Sequence, residues 1–345
     1  MLIKKVYLTP FNNISIEFSK SQFFKQKYEL LGFIDNKKKG KDVFSIEEKV
    51  IDSFDLVIIC SPNYSQEIYY HFIKSGIKSN KIKFYLNNLN RIVSVQKFAD
   101  FFYYGTIRDY LYIRKLKNKY KDKRIFLLGN GPSLKIEDLE LLKDEITFAS
   151  NKIFLAYEHT KWRPTYYLVE DDLVYKQNYK KIKGISDSIK IFPQYSLAWE
   201  NPIDDAYYFN MKYCPDRDDF PQFNPNPIEG MFWGSTVIFT MIQWAIYFGC
   251  KEIYLLGVDF DFTESKKYVI NEDNRKDLIC EGEVNHFHKD YRKIGEKWNL
   301  PNLDVQYKSF LKAKEYAEIN NINIFNISRN SKLDIFEKIE FDKIL

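Results

Sequence analysis

The sequence predicts an α/β fold, a Rossmann-like parallel sheet preceded by a smaller Rossmann-like α/β domain. Three observations carry this reading. Apolar runs alternate with helix-like segments in both halves of the chain, the order that builds parallel sheets. Several runs, such as Leu56-Val57-Ile58-Ile59-Cys60, are apolar at every position, as strands buried on both faces are. Third, the run Arg124-Ile125-Phe126-Leu127-Leu128 ends in the turn Gly129-Asn130-Gly131-Pro132-Ser133. With 345 residues the chain has room for two cores.

Residues 1–95 read as the small domain. Lys5-Val6-Tyr7-Leu8 and Leu31-Gly32-Phe33-Ile34-Asp35 are strands, and the basic turn Lys37-Lys38-Lys39-Gly40 follows the second. Leu56 to Cys60 is a third strand, Ser65 to Ser75 a helix, and Ile82-Lys83-Phe84-Tyr85 a further strand. Where a dinucleotide fold carries its glycine fingerprint, this chain reads Thr9-Pro10-Phe11-Asn12-Asn13, so no dinucleotide site is expected here.

Residues 96–122 read as a basic aromatic linker helix. Phe98, Phe101, Phe102, Ile107, Tyr110, Leu111 and Ile113 recur at helical spacing, and a lysine- and arginine-rich run follows. A linker packing its aromatic face on a domain and a helix lying on a membrane surface both fit this pattern. The net charge of +5 is uneven, because residues 1–120 hold the lysine excess and the remainder is acidic. The basic half could meet an anionic membrane surface or glycan, or present a solvated face. The four cysteines, Cys60, Cys214, Cys250 and Cys280, form no CxxC pair and suggest reduced thiols without a zinc site. No leader and no run of 18 apolar residues is read, so a cytoplasmic protein is expected, at most at the inner face of the membrane. Nothing suggests a nucleic-acid partner, and an oligomer is left open.

Residues 123–345 read as the catalytic domain. Ser133 would cap a helix whose apolar face is Leu134, Ile136, Leu139, Leu141 and Leu142. Gly129 and Gly131 would let a phosphate approach the backbone, and the helix start would attract it. Further strands end at Ser150-Asn151, at Glu170-Asp171-Asp172, at Pro193 and at Asp259. Gly234-Ser235-Thr236 opens a long apolar helix reaching Phe248. Residues 261–300 read as loop, and the helix Val305–Glu318 and strand Ile322–Asn326 close the unit. In open parallel sheets ligands bind beyond the carboxyl ends of the strands. That edge here collects Asn130, Ser133, Asn151, Glu170, Asp171, Asp172, Asp259, Ser328 and Arg329. Amides, hydroxyls and carboxylates in one row suit a nucleobase, a ribose and a sugar.

His286 and His288 stand in Asn285-His286-Phe287-His288, after the Asp259 strand end. A histidine can take a proton near neutral pH, as a general base must. In an extended segment the two would point the same way, but no third ligand at a metal spacing accompanies them. His288 is favoured as base because Asp290 could orient its ring, and His286 stays open.

The blocks Gly-Asn-Gly-Pro-Ser-Leu, Ser-Asn-Lys-Ile-Phe, Pro-Thr-Tyr-Tyr-Leu-Val-Glu-Asp-Asp, Gly-Ser-Thr-Val, Lys-Glu-Ile-Tyr-Leu-Leu-Gly-Val-Asp-Phe and Asn-His-Phe-His-Lys-Asp-Tyr succeed one another over residues 120–345. The series resembles the 6-hydroxymethylpterin pyrophosphokinase MptE-like family of bacterial surface-glycan proteins, related to the motility accessory factor glycosyltransferases. It also resembles the bacterial lipooligosaccharide sialyltransferases, which use CMP-sialic acid. The resemblance implies a sialyltransferase-like domain in which Asn130, Gly131, Ser133, Asn151 and Ser235 contact the nucleotide. It places the catalytic histidine on His286 or His288 and a leaving-phosphate tyrosine on Tyr268. Asp261 stands where a first such tyrosine is expected, which leaves Lys266, Lys267 or Arg292 to supply positive charge. The Val-Thr-Asp-Leu-Asp-Gly and His-Gly-Asp-Asn motifs of the pterin enzymes are not found.

The resulting expectation is a glycosyltransferase of surface-glycan biosynthesis. It would take a nucleotide-activated sugar, a CMP-linked nonulosonic acid foremost, and a glycan acceptor, with no cofactor or metal required. The rival readings are a phosphotransferase holding Mg²⁺ on Asp171 and Asp172 and a non-catalytic nucleotide- or glycan-binding protein.

Overall fold

A computed structural model describes residues 3–46, 54–61, 65–86, 90–95, 107–214, 219–271 and 276–344. The chain divides into two compact units. The first holds residues 1–103 with 197–201 and 270–276, and the second holds the rest.

The first unit is built on a six-stranded sheet. Its strands are β1 (Lys4–Thr9), β2 (Tyr28–Ile34), β3 (Val43–Phe44), β4 (Leu56–Ile59), β5 (Ile82–Leu86) and β6 (Arg91–Ser94), in the order β3-β2-β1-β4-β5-β6. All neighbours are parallel except β5 and β6. The strand order reverses at β1, and Asn12 fills the space beyond it. Its side chain accepts from the Ser15 N–H at the start of helix Asn13–Lys20 and donates to the Cys60 carbonyl. That helix, helix Gln22–Lys25, β3 and β6 carry too few apolar residues in period to be legible beforehand.

The second unit holds an eight-stranded parallel sheet. Its strands are β7 (Arg124–Leu128), β8 (Thr147–Ser150), β9 (Tyr166–Leu168), β10 (Ile189–Pro193), β11 (Ala206–Phe209), β14 (Glu252–Leu256), β18 (Asn323–Asn326) and β19 (Glu337–Lys338). Two short strands, β12 (Met211–Lys212) and β13 (Met231–Phe232), pair separately. The order is β11-β10-β9-β8-β7-β14-β18-β19, so the chain winds outward from β7 in one direction and then returns to β7's other side with β14. The central strands are buried on both faces. On one face Phe126, Tyr254 and Phe325 stack across β7, β14 and β18, with ring centroids 5.1 and 5.3 Å apart. On the other, Ile125 and Leu127 share a core with the helices Val237–Tyr247 and Leu303–Ile319. The first of these helices is buried nearly all round because it lies among strands and the second helix.

Three expectations change. Helix Ile136–Leu141 starts three residues past Ser133, capped at Lys135 without a side-chain bond, so Ser133 is not its cap. The stretch 261–300 is not all loop, since β15 (Tyr268–Ile270), β16 (Lys276–Ile279) and β17 (Lys297–Asn299) lie in it, around Leu278, Cys280 and Trp298. Of the expected linker, residues 107–122 are described, and Phe98, Phe101 and Phe102 lie outside the described residues. Its helix, Ile107–Leu116, belongs to the second unit, where Ile113 and Leu116 join the core and Tyr112 stacks on Tyr207 at 3.6 Å. Among the described residues no helix is long and apolar enough to cross a membrane.

The ends of β7 and β14 touch so closely that a Cβ on Gly129 would stand 2.2 Å from the Gly257 carbonyl oxygen. Gly129→Ala should therefore lower the unfolding free energy by about 1–3 kcal/mol or more, because backbone must shift. Gly184 ends a helix with φ −77° and has only ordinary contacts, the nearest at 3.5 Å. Gly184→Ala should be neutral or stabilise by about 0.4–1 kcal/mol. Urea unfolding of the two variants, followed by tryptophan fluorescence, checks the contrast.

Candidate functional site

The reversal of strand order between β7 and β14 opens a crevice at their carboxyl ends. This is where open α/β sheets bind ligands. Its floor is Gly129 to Gly131, Ser150 and Asn151, and Gly257 to Phe262. Thr236 to Ile238 at the start of helix Val237–Tyr247 form one wall, and Asn285, His286 and Tyr291 cover it. The enclosed volume is about 120 Å³, so the crevice as it stands admits part of a small-molecule ligand.

The glycine turn does not present an open phosphate cradle. The Gly129 N–H donates to the Leu256 carbonyl and the Gly131 N–H to the Gly257 carbonyl. The Ser133 N–H donates to Asp259 Oδ2 at 2.8 Å, and the Ser133 hydroxyl donates to Oδ1. A Cβ on Gly131 would lie 2.5 Å from that same carboxylate. Asp259 thus fills the space that the glycines were expected to leave for a phosphate. Burial raises the Asp259 pKa, opposed by the two Ser133 bonds, and the nearby Asp261 raises it further. Pro132 is exposed and does not line the crevice.

Two amides do face the crevice. Asn130 is 9% exposed; its Nδ2 donates to the Ser150 carbonyl at 3.1 Å, while its Oδ1 has no partner. Asn151 Oδ1 is likewise buried without a partner. Buried acceptors of this kind call for a donor. Backbone geometry singles out the same place. Asn151, Ser235 and Phe260 have φ of 52°, 63° and 55°. Among the described residues, Ser235 and Phe260 are the two with such φ that are not Asn, Asp or Gly, and both stand at this edge. Backbone held in that region concentrates at functional sites.

The histidines separate. Residues 286–290 bend rather than extend, so the two rings do not share a side. His286 lines the crevice, its ring stacked on Tyr291 at 3.7 Å and 6°. Burial, with Arg292 and Lys152 nearby, holds its pKa well below the ordinary imidazole value. His288 lines a different cleft. Its Nδ1 accepts the Asp290 N–H at 3.1 Å and lies 4.0 Å from the Asp290 carboxylate. A neutral ring making that bond carries its proton on Nε2, which removes the basis for favouring His288 as the base. The segment is held by Phe287 N–H to the Asn130 carbonyl, by Asn285 paired with the Thr263 backbone, and by Lys152 Nζ on the Tyr291 carbonyl.

Residues 103–265 are similar to one known family. The family model that matches there is described as 6-hydroxymethylpterin diphosphokinase MptE-like. The family read from the motif blocks is thereby borne out, though the match stops before His286. No curated protein matches. A solved structure titled as a MAf glycosyltransferase from Magnetospirillum magneticum AMB-1 matches at 13% identity and a TM-score of 0.39. That similarity covers 99% of this chain and 58% of the other, so this chain spans little more than half of that protein.

The other expected residues serve the frame. Asp171 caps helix Asp172–Lys183 by accepting the Val174 N–H, and it accepts Asn299 Nδ2 at 2.8 Å. Asp172 binds Lys176 and the same amide. Among the described residues no three His, Cys, Asp or Glu side chains gather as a metal site. Gly234 makes room for Phe239 and Ser309, Ser235 Oγ accepts the Asn302 N–H, and Thr236 caps the apolar helix while lining the crevice. Ser328 ties Val258 to Leu255, and Arg329 is bidentate on Asp138. Tyr268 is 52% exposed on β15 and does not line the crevice. Arg292 lies over Trp298 at 3.9 Å, and the Lys266 and Lys267 N–H groups bind Glu281. Sequence reasoning missed Tyr291, Phe260 and Gln306 as crevice residues and Lys152 as the anchor of the covering segment; Lys152, Phe260 and Tyr291 stood in the motif blocks, and Gln306 in none.

Glu170 is buried outside this lining, with Oε2 accepting from Thr240 at 2.8 Å and Oε1 unpartnered. Burial first, and then the Asp171 charge, raise its pKa to about 7. A carboxyl raised on folding adds stability below its unfolded pKa that is lost as pH rises through the folded one. Glu170→Gln keeps an acceptor for Thr240 and cannot ionise. It should gain melting temperature over the parent at pH 8 and lose that advantage at pH 5. Parallel melting curves at the two pH values check this.

Proposed function

We propose that the chain is a glycosyltransferase that takes a nucleotide-activated sugar in the crevice between β7 and β14 and passes it to a glycan acceptor. The observation that carries the reading is the crevice itself, where the strand order reverses and two buried amide oxygens lack donors. A nucleobase amino group or ribose hydroxyls would satisfy Asn130 Oδ1 and Asn151 Oδ1. With Asp259 in the glycine turn, the donor phosphate goes to the start of helix Val237–Tyr247, where the helix dipole favours an anion. The described residues lining the crevice include Asp259 and Asp261 but no lysine or arginine. So little positive charge suits a donor with one phosphate better than one with two. This supports the CMP-linked nonulosonic acid over UDP- or GDP-sugars. The MptE-like match and the motif series shared with the sialyltransferases support the same class.

His286 is the proposed base. It is the histidine in the crevice, and its neutral ring can take a proton from an acceptor hydroxyl. No metal ion is required in this reading, and transfer should survive EDTA. The phosphotransferase reading would need Asp171 and Asp172 for Mg²⁺, and both are engaged with the helix cap, Asn299 and Lys176.

Thermal shifts with CMP, CDP, UDP, GDP and ATP test the donor. CMP should stabilise the protein by about 2.7 kcal/mol at a hundred times its Kd, and Asn151→Ala should abolish the shift. A shift with UDP or GDP alone would overturn the donor, and none at all would overturn the nucleotide site.

The base is tested by CMP release from CMP-N-acetylneuraminic acid. His286→Ala should lower kcat by ~10²–10⁴-fold, the range of a lost general base, while His288→Ala should stay within a few fold. Because the His286 pKa is depressed, the parent's kcat should hold from pH 8 down to the ordinary imidazole pKa and fall only below it. An acid limb centred near pH 7 would count against His286.

A further inference from the structure

The covering segment has a second side. His288 lines a separate cleft of about 690 Å³, within the usual range of ligand sites. Its wall carries Arg163, Lys181 and Lys293 opposite in charge to Glu158, Asp187 and Asp290, so the cleft is balanced. Arg163 is held in place. Its guanidinium lies 4.0 Å over Tyr157, and Nη1 donates to the Thr160 and Trp162 carbonyls. Lys181 stands 5.5 Å over Phe154.

We propose that this cleft binds the acceptor glycan as a hydroxyl-rich sugar chain without net charge. The proposal rests on the glycosyltransferase reading and locates that enzyme's second substrate. Interspersed cations and carboxylates offer donors and acceptors to neighbouring hydroxyls. A strongly acidic glycan would meet three carboxylates, and a polycation three positive charges. The cleft is also next to the chemistry. His288 in the cleft stands two positions after His286 in the crevice, a backbone span of at most about 7 Å. The intervening Phe287 N–H is fastened to the Asn130 carbonyl at 2.9 Å. An acceptor seated against His288 therefore rests on the same short segment that carries the proposed base into the crevice.

The test uses the labelled full-length protein on an array of neutral, acidic and cationic oligosaccharides, with CMP thermal shift measured beside it. Ser186→Trp fills the cleft from an exposed position. Lys181→Ala with Asp187→Ala removes two exposed polar contacts. The parent should bind neutral glycans, and both variants should lose at least tenfold in array signal while keeping the parent's CMP shift. Failure of the parent to bind any glycan, binding confined to acidic or cationic glycans, or binding retained in both variants would each overturn the cleft assignment. Neutral-glycan binding that both variants lose, in a protein that CMP does not shift, would support the cleft and refute the donor reading instead.

Discussion

The Asp259 carboxylate, clasped by the Ser133 N–H and hydroxyl, joins the turn after β7 to the turn after β14. Much at the crevice depends on this clasp. It requires glycine at position 131, because any side chain there would enter the carboxylate. Hydrogen bonds to a charged group contribute about 1.5–3 kcal/mol each, roughly twice a neutral one. The clasp also holds the two strand ends at which the left-handed Phe260 and the unpartnered Asn130 oxygen are set.

The negative charge so placed shapes what the crevice can bind. A phosphate at the glycine turn would face a carboxylate across a few ångströms in a partly buried setting, where charges are weakly screened. An anionic ligand is better served on the opposite wall, at the start of the buried helix Val237–Tyr247. The floor between them carries the uncharged amides of Asn130 and Asn151 beside Asp261. This division separates the crevice from P-loop and dinucleotide sites, in which the glycine turn itself carries the phosphate.

The segment 285–291 is the least regular part of the site and is densely tied. Phe287 is fixed to Asn130, Asn285 to Thr263 and Tyr291 to Lys152, so three separate elements hold one short cover. The buried Lys152 also pairs with Glu296, which satisfies a charge that burial would otherwise penalise. Through this cover His286 and His288 are assigned to two different cavities, and the pinning at Phe287 keeps them apart.

The sequence by itself determined the parallel centre of each sheet, because strands buried on both faces must be apolar at every position and stand out as unbroken runs. It also marked the strand ends, since polar residues cannot continue such runs, and it carried the MptE-like motif series. What filled the glycine turn was decided only by tertiary structure. Asp259 lies 126 residues beyond Ser133, and no local pattern pairs them. The separation of the histidines was decided in the same way. An extended segment would have sent both rings to one side, and only the bend imposed by bonds to Asn130, Thr263 and Lys152 turned His286 into the crevice and His288 away from it. Local periodicity records which residues are buried. Which distant side chain occupies a given space depends on how the strand ends meet.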